Sequence, residues 1–168
     1  VLAVPISDEV HPAFSNLFIQ TDLNEQRNAI ICTRRARSDN ENNPWMFHLM
    51  KVHDADIKNV SYETDRGIFI GRGNDIHSPD AINQASTLSG SNGSVLDPIV
   101  SIQYKIVLEP YESATIDMIF GIADTKESCN FLIEKYQDRH LINRVLELAW
   151  THSQVILRQI NAVESDAQ

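Results

Sequence analysis

Two cysteines in 168 residues, Cys32 and Cys129, are too few and too far apart for a zinc site, which needs four close ligands. Both read as reduced, buried thiols in a cytoplasmic setting, with a single bridge left open. Bases are scarce as well. Fourteen Lys and Arg against 23 Asp and Glu give a net charge of −9, the wrong sign for displacing counterions from nucleic acid. Residues 1–123 hold 16 of the acids and 9 of the bases, so the acidity lies mainly there and reads as solubility. No apolar run approaches about 18 residues, so no segment reads as membrane-spanning. No basic stretch precedes an apolar one at the start, so no signal peptide is read. The chain opens on VLAVP without a leader or a methionine, as an excised fragment would.

What is present is enough apolar residue, 42%, for one folded core. The pattern changes along the chain. Val100, Ile102, Tyr104, Ile106 and Leu108 alternate with Ser101, Gln103, Lys105 and Glu109, the period of a half-buried strand. After EPYES the alternation resumes at Ile116, Met118, Phe120 and Ile122, and the two runs predict a long hairpin. Earlier strands are expected at Leu2–Val4, Asn16–Gln20, Ala29–Arg34, Trp45–His53 and Gly67–Ile70. Turn clusters such as SDNENNP and SGSNGS separate them. Several short strands with irregular loops indicate a mainly β fold, an antiparallel β-sandwich over residues 1–123.

At Asp124 the period becomes helical. Asp124 and Glu127 fit a capping box, and Cys129, Leu132, Ile133 and Tyr136 line one face of a short helix. A second helix is expected from about Asp138 to Ala162, and residues 124–168 form a helical linker segment. The apolar stripe of the second helix, Ile142, Val145, Leu146, Ala149, Ile156 and Ile160, is widened by Leu141, Leu148 and Val155. One sheet face cannot cover so wide a surface, so a further protein surface is expected against it. The tail AVESDAQ reads as frayed.

Candidate chemistry is thin. Gly71-Arg72-Gly73 resembles a phosphate-binding turn, but Ile76 stands where the third glycine belongs and no helical period follows. Asp54, Asp56, Asn59 and Asp65 loosely suggest a calcium loop, yet Lys58 occupies a ligand position, and a solvated turn fits better. His48 and His53, five apart on a strand, point to opposite faces and cannot share a metal. Glu63 and Asp65 are candidates for a hydrolytic carboxylate pair about 7 Å apart, against a reading as solvated acids beside a turn. SGSNG lacks the strand and helix of a nucleophile elbow. No motif requires a cofactor. The loop STLSGSNGS (residues 86–94) reads as a flexible connection or a binding loop.

The segments HPAFSNLF, TRRARS, YETDRGIFIGRG, LSGSNGSVLDP and ELAWTHSQV occur in this order between His11 and Val155. Together they resemble the glycoside hydrolase family 94 phosphorylases, inverting enzymes that include cellobiose phosphorylase. The likeness is strongest to the phosphorylase-like part of cyclic β-1,2-glucan synthases. The resemblance implies a galactose-mutarotase-like supersandwich, a helical linker and a catalytic α/α-barrel. In that family the catalytic acid lies on the barrel, which is not in this chain. Further strands precede the matching region, so the sandwich is expected to be incomplete. No catalytic residue is therefore expected here. A full synthase also carries a glycosyltransferase part and membrane spans, so the resemblance implies a parent anchored in the inner membrane.

The resemblance assigns Arg66 and Arg72 as candidates to hydrogen-bond the hydroxyls of a β-glucan oligosaccharide, since a guanidinium offers a planar fork of donors. The alternative is an ion pair with Asp65, Glu63 or Asp75, and for Arg66 this structural reading comes first. Trp45 and Trp150 read as core rather than sugar platforms. The expected partners are the parent's catalytic α/α-barrel and its glucan. Pairing of exposed sheet edges into a homodimer is a further option. A free-standing carbohydrate-binding module is the alternative function, though it would need more aromatics than the 7% present.

Overall fold

A computed structural model describes residues 10–36, 38, 41–83, 87–162 and 164–167. Helix α1 (Pro12–Asn16) begins at a proline, a residue favoured in a first helical turn, and strand β1 follows at Ile19–Asn24. The strand expected over Asn16–Gln20 is therefore helix at its start and strand only from Ile19. The expected strand at Leu2–Val4 lies outside the described residues. A 3-10 turn (Glu25–Arg27) and Asn28 in the left-handed region (φ 51°) lead into strand β2 (Ala29–Arg34). Asparagine tolerates that conformation better than most residues. Strand β3 is Trp45–His53 and strand β4 Asp56–Asp65. Two short helices come next, α2 (Arg66–Ile70) and α3 (Asp80–Asn83). Strands β5 (Gly93–Ser94), β6 (Pro98–Val107) and β7 (Thr115–Ala123) complete the sheets.

Among the described residues the strands form two antiparallel sheets. One has the order β5-β1-β2-β3-β7, and the other is the pair β4-β6. Strand β2 lies at the centre of the larger sheet, and Ala29, Ile30, Ile31 and Cys32 are all buried. Ile30 and Cys32 turn toward the smaller sheet and pack with Tyr62 of β4 and Ile102 of β6. Met46 and Met50 from β3 and Val60, Val100 and Tyr104 from the smaller sheet flank this cluster. The fold is thus mainly β, with two sheets packed face to face. Burying side chains such as Ile30, Phe47 and Leu49 contributes about 1.5–3 kcal/mol each.

The structure differs from three local expectations. The runs around Ile102 and Phe120 are strands, but they are not each other's partners: β6 pairs with β4, and β7 pairs with β3 over nine residues. The intervening Leu108–Ala114 carries the chain from one sheet to the other. Alternation reports that one face of each strand is apolar, and it is silent on which edge the strand joins. Gly67–Ile70 is not a strand but most of helix α2, because the Asp65 carboxylate accepts from Gly67 N (2.7 Å) and Ile68 N (3.3 Å). The turn expected around Asp54–Asp65 is largely β4, whose first four residues are exposed.

Among the described residues the smaller sheet has two strands, and they leave the row that β7 shares with the sandwich face uncovered. Ile116, Met118, Phe120 and Ile122 lie opposite Val52, Met50, His48 and Met46, yet each is more than half exposed. On the other face of the large sheet sit Phe47 and Leu49. Helix α4 (Lys126–Lys135) approaches that face, with Lys126 Nζ 2.6 Å from Asp22 Oδ2 and 5.7 Å from the centre of the Trp45 ring. The expected apolar face of α4 includes the fully buried Cys129 and Ile133. Its cap differs by one residue from the expected Asp124 box: Thr125 Oγ1 accepts from Ser128 N at 3.1 Å.

The chain divides into two compact units, Val1–Ile133 and Glu134–Gln168. The second is dominated by helix α5 (Arg139–Gln159), capped by Asp138, whose carboxylate accepts from His140 N at 2.9 Å. No residue of α5 is buried, and Leu146, Leu148 and Trp150 are prominently exposed. Neither tryptophan is core: Trp45 is half-buried beside Lys126, and Trp150 is 65% exposed. A short 3-10 turn at Glu164–Ala167 falls in the tail expected to fray. Among the described residues no helix is long and apolar enough to cross a membrane.

Candidate functional site

The residues singled out by sequence gather where β4 ends. Asp65 stops the strand and caps α2, so Arg66 becomes the first residue of that helix. Arg66 is tied to one partner the sequence did not suggest. Its backbone N–H donates to Asp97 O at 2.9 Å, and its Nη1 lies 3.5 Å from Asp97 Oδ2. Asn16 Nδ2 donates to the other oxygen of Asp97 at 3.2 Å. The expected ion pairs of Arg66 with Glu63, Asp65 or Asp75 are thereby replaced by one with Asp97.

Arg72 stands apart. It is exposed and takes part in no ion pair among the described residues, and none of Asp65, Glu63 or Asp75 holds it. The turn carrying it is nonetheless well fixed. Gly71 adopts φ 83°, and a Cβ there would fall 2.0 Å from Asp80 Oδ2, so this position requires glycine. Asn74 Nδ2 donates to Asp80 Oδ1 at 2.7 Å and to Ile70 O at 3.3 Å. Asp75 Oδ1 accepts from His77 N and Ser78 N. A free guanidinium on a braced turn is a ready donor for a neutral polyhydroxylated partner or an anion.

Glu63 is not a solvated acid. It is 1% exposed, and its carboxylate accepts from Ser89 Oγ (2.5 Å), Ser91 Oγ, Thr64 N (2.9 Å) and Asp65 N (3.0 Å). Burial pushes its pKa up, but the two hydroxyls and two amides outweigh burial, and the group is held below the ordinary carboxylate value. A general acid needs the opposite shift. With Asp65 occupied as a helix cap, these two carboxylates do not make an acid–nucleophile pair.

The loop beyond residue 86 is likewise no loose connection. Leu88 N donates to Ser61 Oγ (3.2 Å), Gly90 N to Tyr62 O (2.8 Å), and Thr64 Oγ1 to Ser91 O (2.8 Å). Thr64 Oγ1 also meets Thr21 Oγ1 at 2.9 Å, which locks this seam to β1. Ser86 itself lies outside the described residues. Sequence reasoning missed Asp97, and it did not connect Glu63 with Ser89 and Ser91. The available signal was an acid inside a strand, VSYETD, followed by a hydroxyl-rich segment able to solvate it.

Other candidates do not assemble. Among the described residues no three His, Cys, Asp or Glu side chains lie close enough to hold a metal ion. His48 is buried and stacks on Phe120 (4.3 Å between ring centres), while His53 Nε2 lies 2.8 Å from Asp117 Oδ2. Cys32 and Cys129 are free and buried, and burial raises their pKa values to about 12 and about 11, which keeps the thiols protonated and unreactive.

Comparison with known proteins agrees with this architecture. The chain is 29% identical over 167 residues to the cyclic beta-(1,2)-glucan synthase NdvB of Rhizobium meliloti (strain 1021). That alignment covers 99% of this chain and 6% of the relative, so the chain spans a small part of that protein's length. The model of the glycosyl hydrolase 94 supersandwich domain matches residues 1–139, and the chain therefore belongs to the glycosyl hydrolase 94 supersandwich family.

Proposed function

We propose that this chain is a non-catalytic sandwich and linker of a β-glucan-processing enzyme, either a phosphorylase or a cyclic β-1,2-glucan synthase. Residues 1–123 are its sandwich and 124–168 its linker. It scaffolds the catalytic α/α-barrel of the parent polypeptide and lends Arg66 and Arg72 to the rim of the sugar site. The parent works in the cytoplasm, anchored in the inner membrane through parts outside this segment.

The observation that carries the reading is Arg72: an exposed guanidinium, without an ion pair among the described residues, on a turn braced by Gly71, Asn74 and Asp80. An exposed guanidinium contributes little to folding, so holding it on a fixed turn is better accounted for by a partner outside this chain. Sugar hydroxyls supply the acceptors that this fork lacks. The apolar surface of α5 supports the scaffold role, since Leu146, Leu148 and Trp150 are exposed and a barrel wall would cover them. A free-standing carbohydrate-binding module is the weaker reading. The exposed aromatics Phe14, Tyr111, Phe120, Phe131 and Trp150 are dispersed over five elements or loops and form no platform on one sheet face.

The test is steady-state kinetics of the full polypeptide on β-1,2-linked gluco-oligosaccharides. Arg72→Ala raises KM about tenfold or more with kcat little changed, as loss of one or two charge-assisted hydrogen bonds would. An unchanged KM refutes the sugar-facing role. Sugar release by this chain alone refutes the non-catalytic one.

A further inference from the structure

Resting on the reading that this end of β4 faces sugar, we propose that Glu63 is a positioning residue, the anchor that presets the 88–97 segment as one wall of the site. The segment is held by hydrogen bonds rather than by apolar packing, and the charge-assisted ones among them are those to Glu63. Leu88 is only half-buried, Ser89, Gly90 and Asn92 are exposed, and Gly90 and Gly93 both have positive φ. Such a composition ordinarily stays mobile, because ordering each residue costs about 1–2 kcal/mol of backbone entropy.

One carboxylate changes that balance. Hydrogen bonds to an ionised group are about twice as strong as neutral ones, and Glu63 takes two from the loop, through Ser89 and Ser91. Its two remaining bonds, from Thr64 N and Asp65 N, fix the strand end from which Asp65 caps α2. The same group thus holds both sides of a seam. One side carries the helix that begins with Arg66. The other runs on to Asp97, the partner of Arg66. The four donors to Glu63 are neutral hydroxyls and amides, so its carboxylate supplies the charge that strengthens these bonds. Glu63 touches no substrate in this scheme and acts through the loop and through Asp97.

The experiment has two arms. In the first, amide hydrogen exchange is followed on this chain for Glu63→Gln and, because a buried substitution can prevent folding, for the double variant Ser89→Ala with Ser91→Ala. Both speed exchange of the Gly90 and Leu88 amides about tenfold, while the Ile31 and Phe47 amides keep their protection. Unchanged Gly90 and Leu88 exchange in the double variant overturns the anchor. In the second arm the same variants are placed in the full polypeptide. KM for β-1,2-linked gluco-oligosaccharides rises several-fold, kcat holds, and Glu63→Asp recovers part of the loss. A loosened loop with an unchanged KM overturns the positioning role. If Arg72→Ala also leaves KM unchanged, the sugar-facing reading itself has failed, and the exchange arm still reports separately on the anchor.

Discussion

Gly121 lies directly against the ring of Phe47, its register partner across the β3–β7 ladder, and a Cβ at Gly121 would fall 2.3 Å from Phe47 Cε1 and 2.4 Å from Cζ. The backbone of Gly121 is otherwise ordinary, so glycine is needed here for space alone. Phe47 is 1% exposed and cannot swing away without displacing its neighbours. Gly121→Ala therefore destabilises the sandwich by about 1–3 kcal/mol, the usual cost of overpacking. Phe47→Leu destabilises too, by opening a cavity. The double variant loses less than the sum, because the new methyl occupies part of the space the ring vacates. Urea unfolding of the four proteins checks this, and strict additivity would contradict it.

The two sheets are pinned by two phenols. Tyr62 Oη donates to Asn28 Oδ1 at 2.9 Å, and Tyr104 Oη donates to Met50 O at 2.7 Å. Burial raises both pKa values to about 12, with Glu25 adding to the effect on Tyr62 and Tyr62 adding to that on Tyr104. Ionisation would set a phenolate against an oxygen. The folded pKa lies above the unfolded value near 10, so this stabilisation is complete below pH 10 and is lost as the pH rises through about 12. Urea midpoints measured from pH 9 to 12 fall steeply in the parent sequence. They fall less in Tyr62→Phe with Tyr104→Phe, which begins lower by about 0.5–1.5 kcal/mol per lost hydrogen bond. Equal pH slopes would show that neither phenol is coupled to folding.

How far the sequence reveals this molecule depends on which physics is local. Ala29–Arg34 and Trp45–His53 are strands with the predicted bounds, because continuous apolar or alternating runs state their own burial. Asp138 and the helix after it are equally plain, since capping acts within one turn. Pairing is not local. Residues 98–107 and 115–123 look like the arms of one hairpin, and only the arrangement of the whole sandwich assigns them to different sheets. Gly67–Ile70 is too short for its apolar run to distinguish a strand from a helical turn, and the deciding event is the Asp65 cap. Glu63 is the furthest from legible. An acid in a polar stretch reads as solvated unless one knows that Ser89 and Ser91, some 26 and 28 positions later, fold back over it. Arg72 enters as a candidate through the family resemblance, and the brace of Asn74 and Asp80 around it has no sequence signature.

Helix α5 gives the clearest test of the scaffold role. Its Leu148 is 58% exposed and its Trp150 65% exposed, so neither contributes much to the stability of this chain by itself. Leu148→Glu and Trp150→Ala are then expected to shift its unfolding free energy by no more than about 0.5 kcal/mol, the usual range for surface substitutions. Both are also compatible with helix, so propensity adds only tenths of a kcal/mol. In the full polypeptide the expectation reverses. If a barrel wall covers this surface, Leu148→Glu loses the burial of an apolar side chain, about 1.5–3 kcal/mol, and adds the cost of burying a charge. Parallel unfolding of the isolated chain and the full polypeptide, each with and without the substitution, separates the cases. A large loss in the isolated chain would mean that the helix is already packed within it. No loss in either would leave the scaffold role without a contact surface.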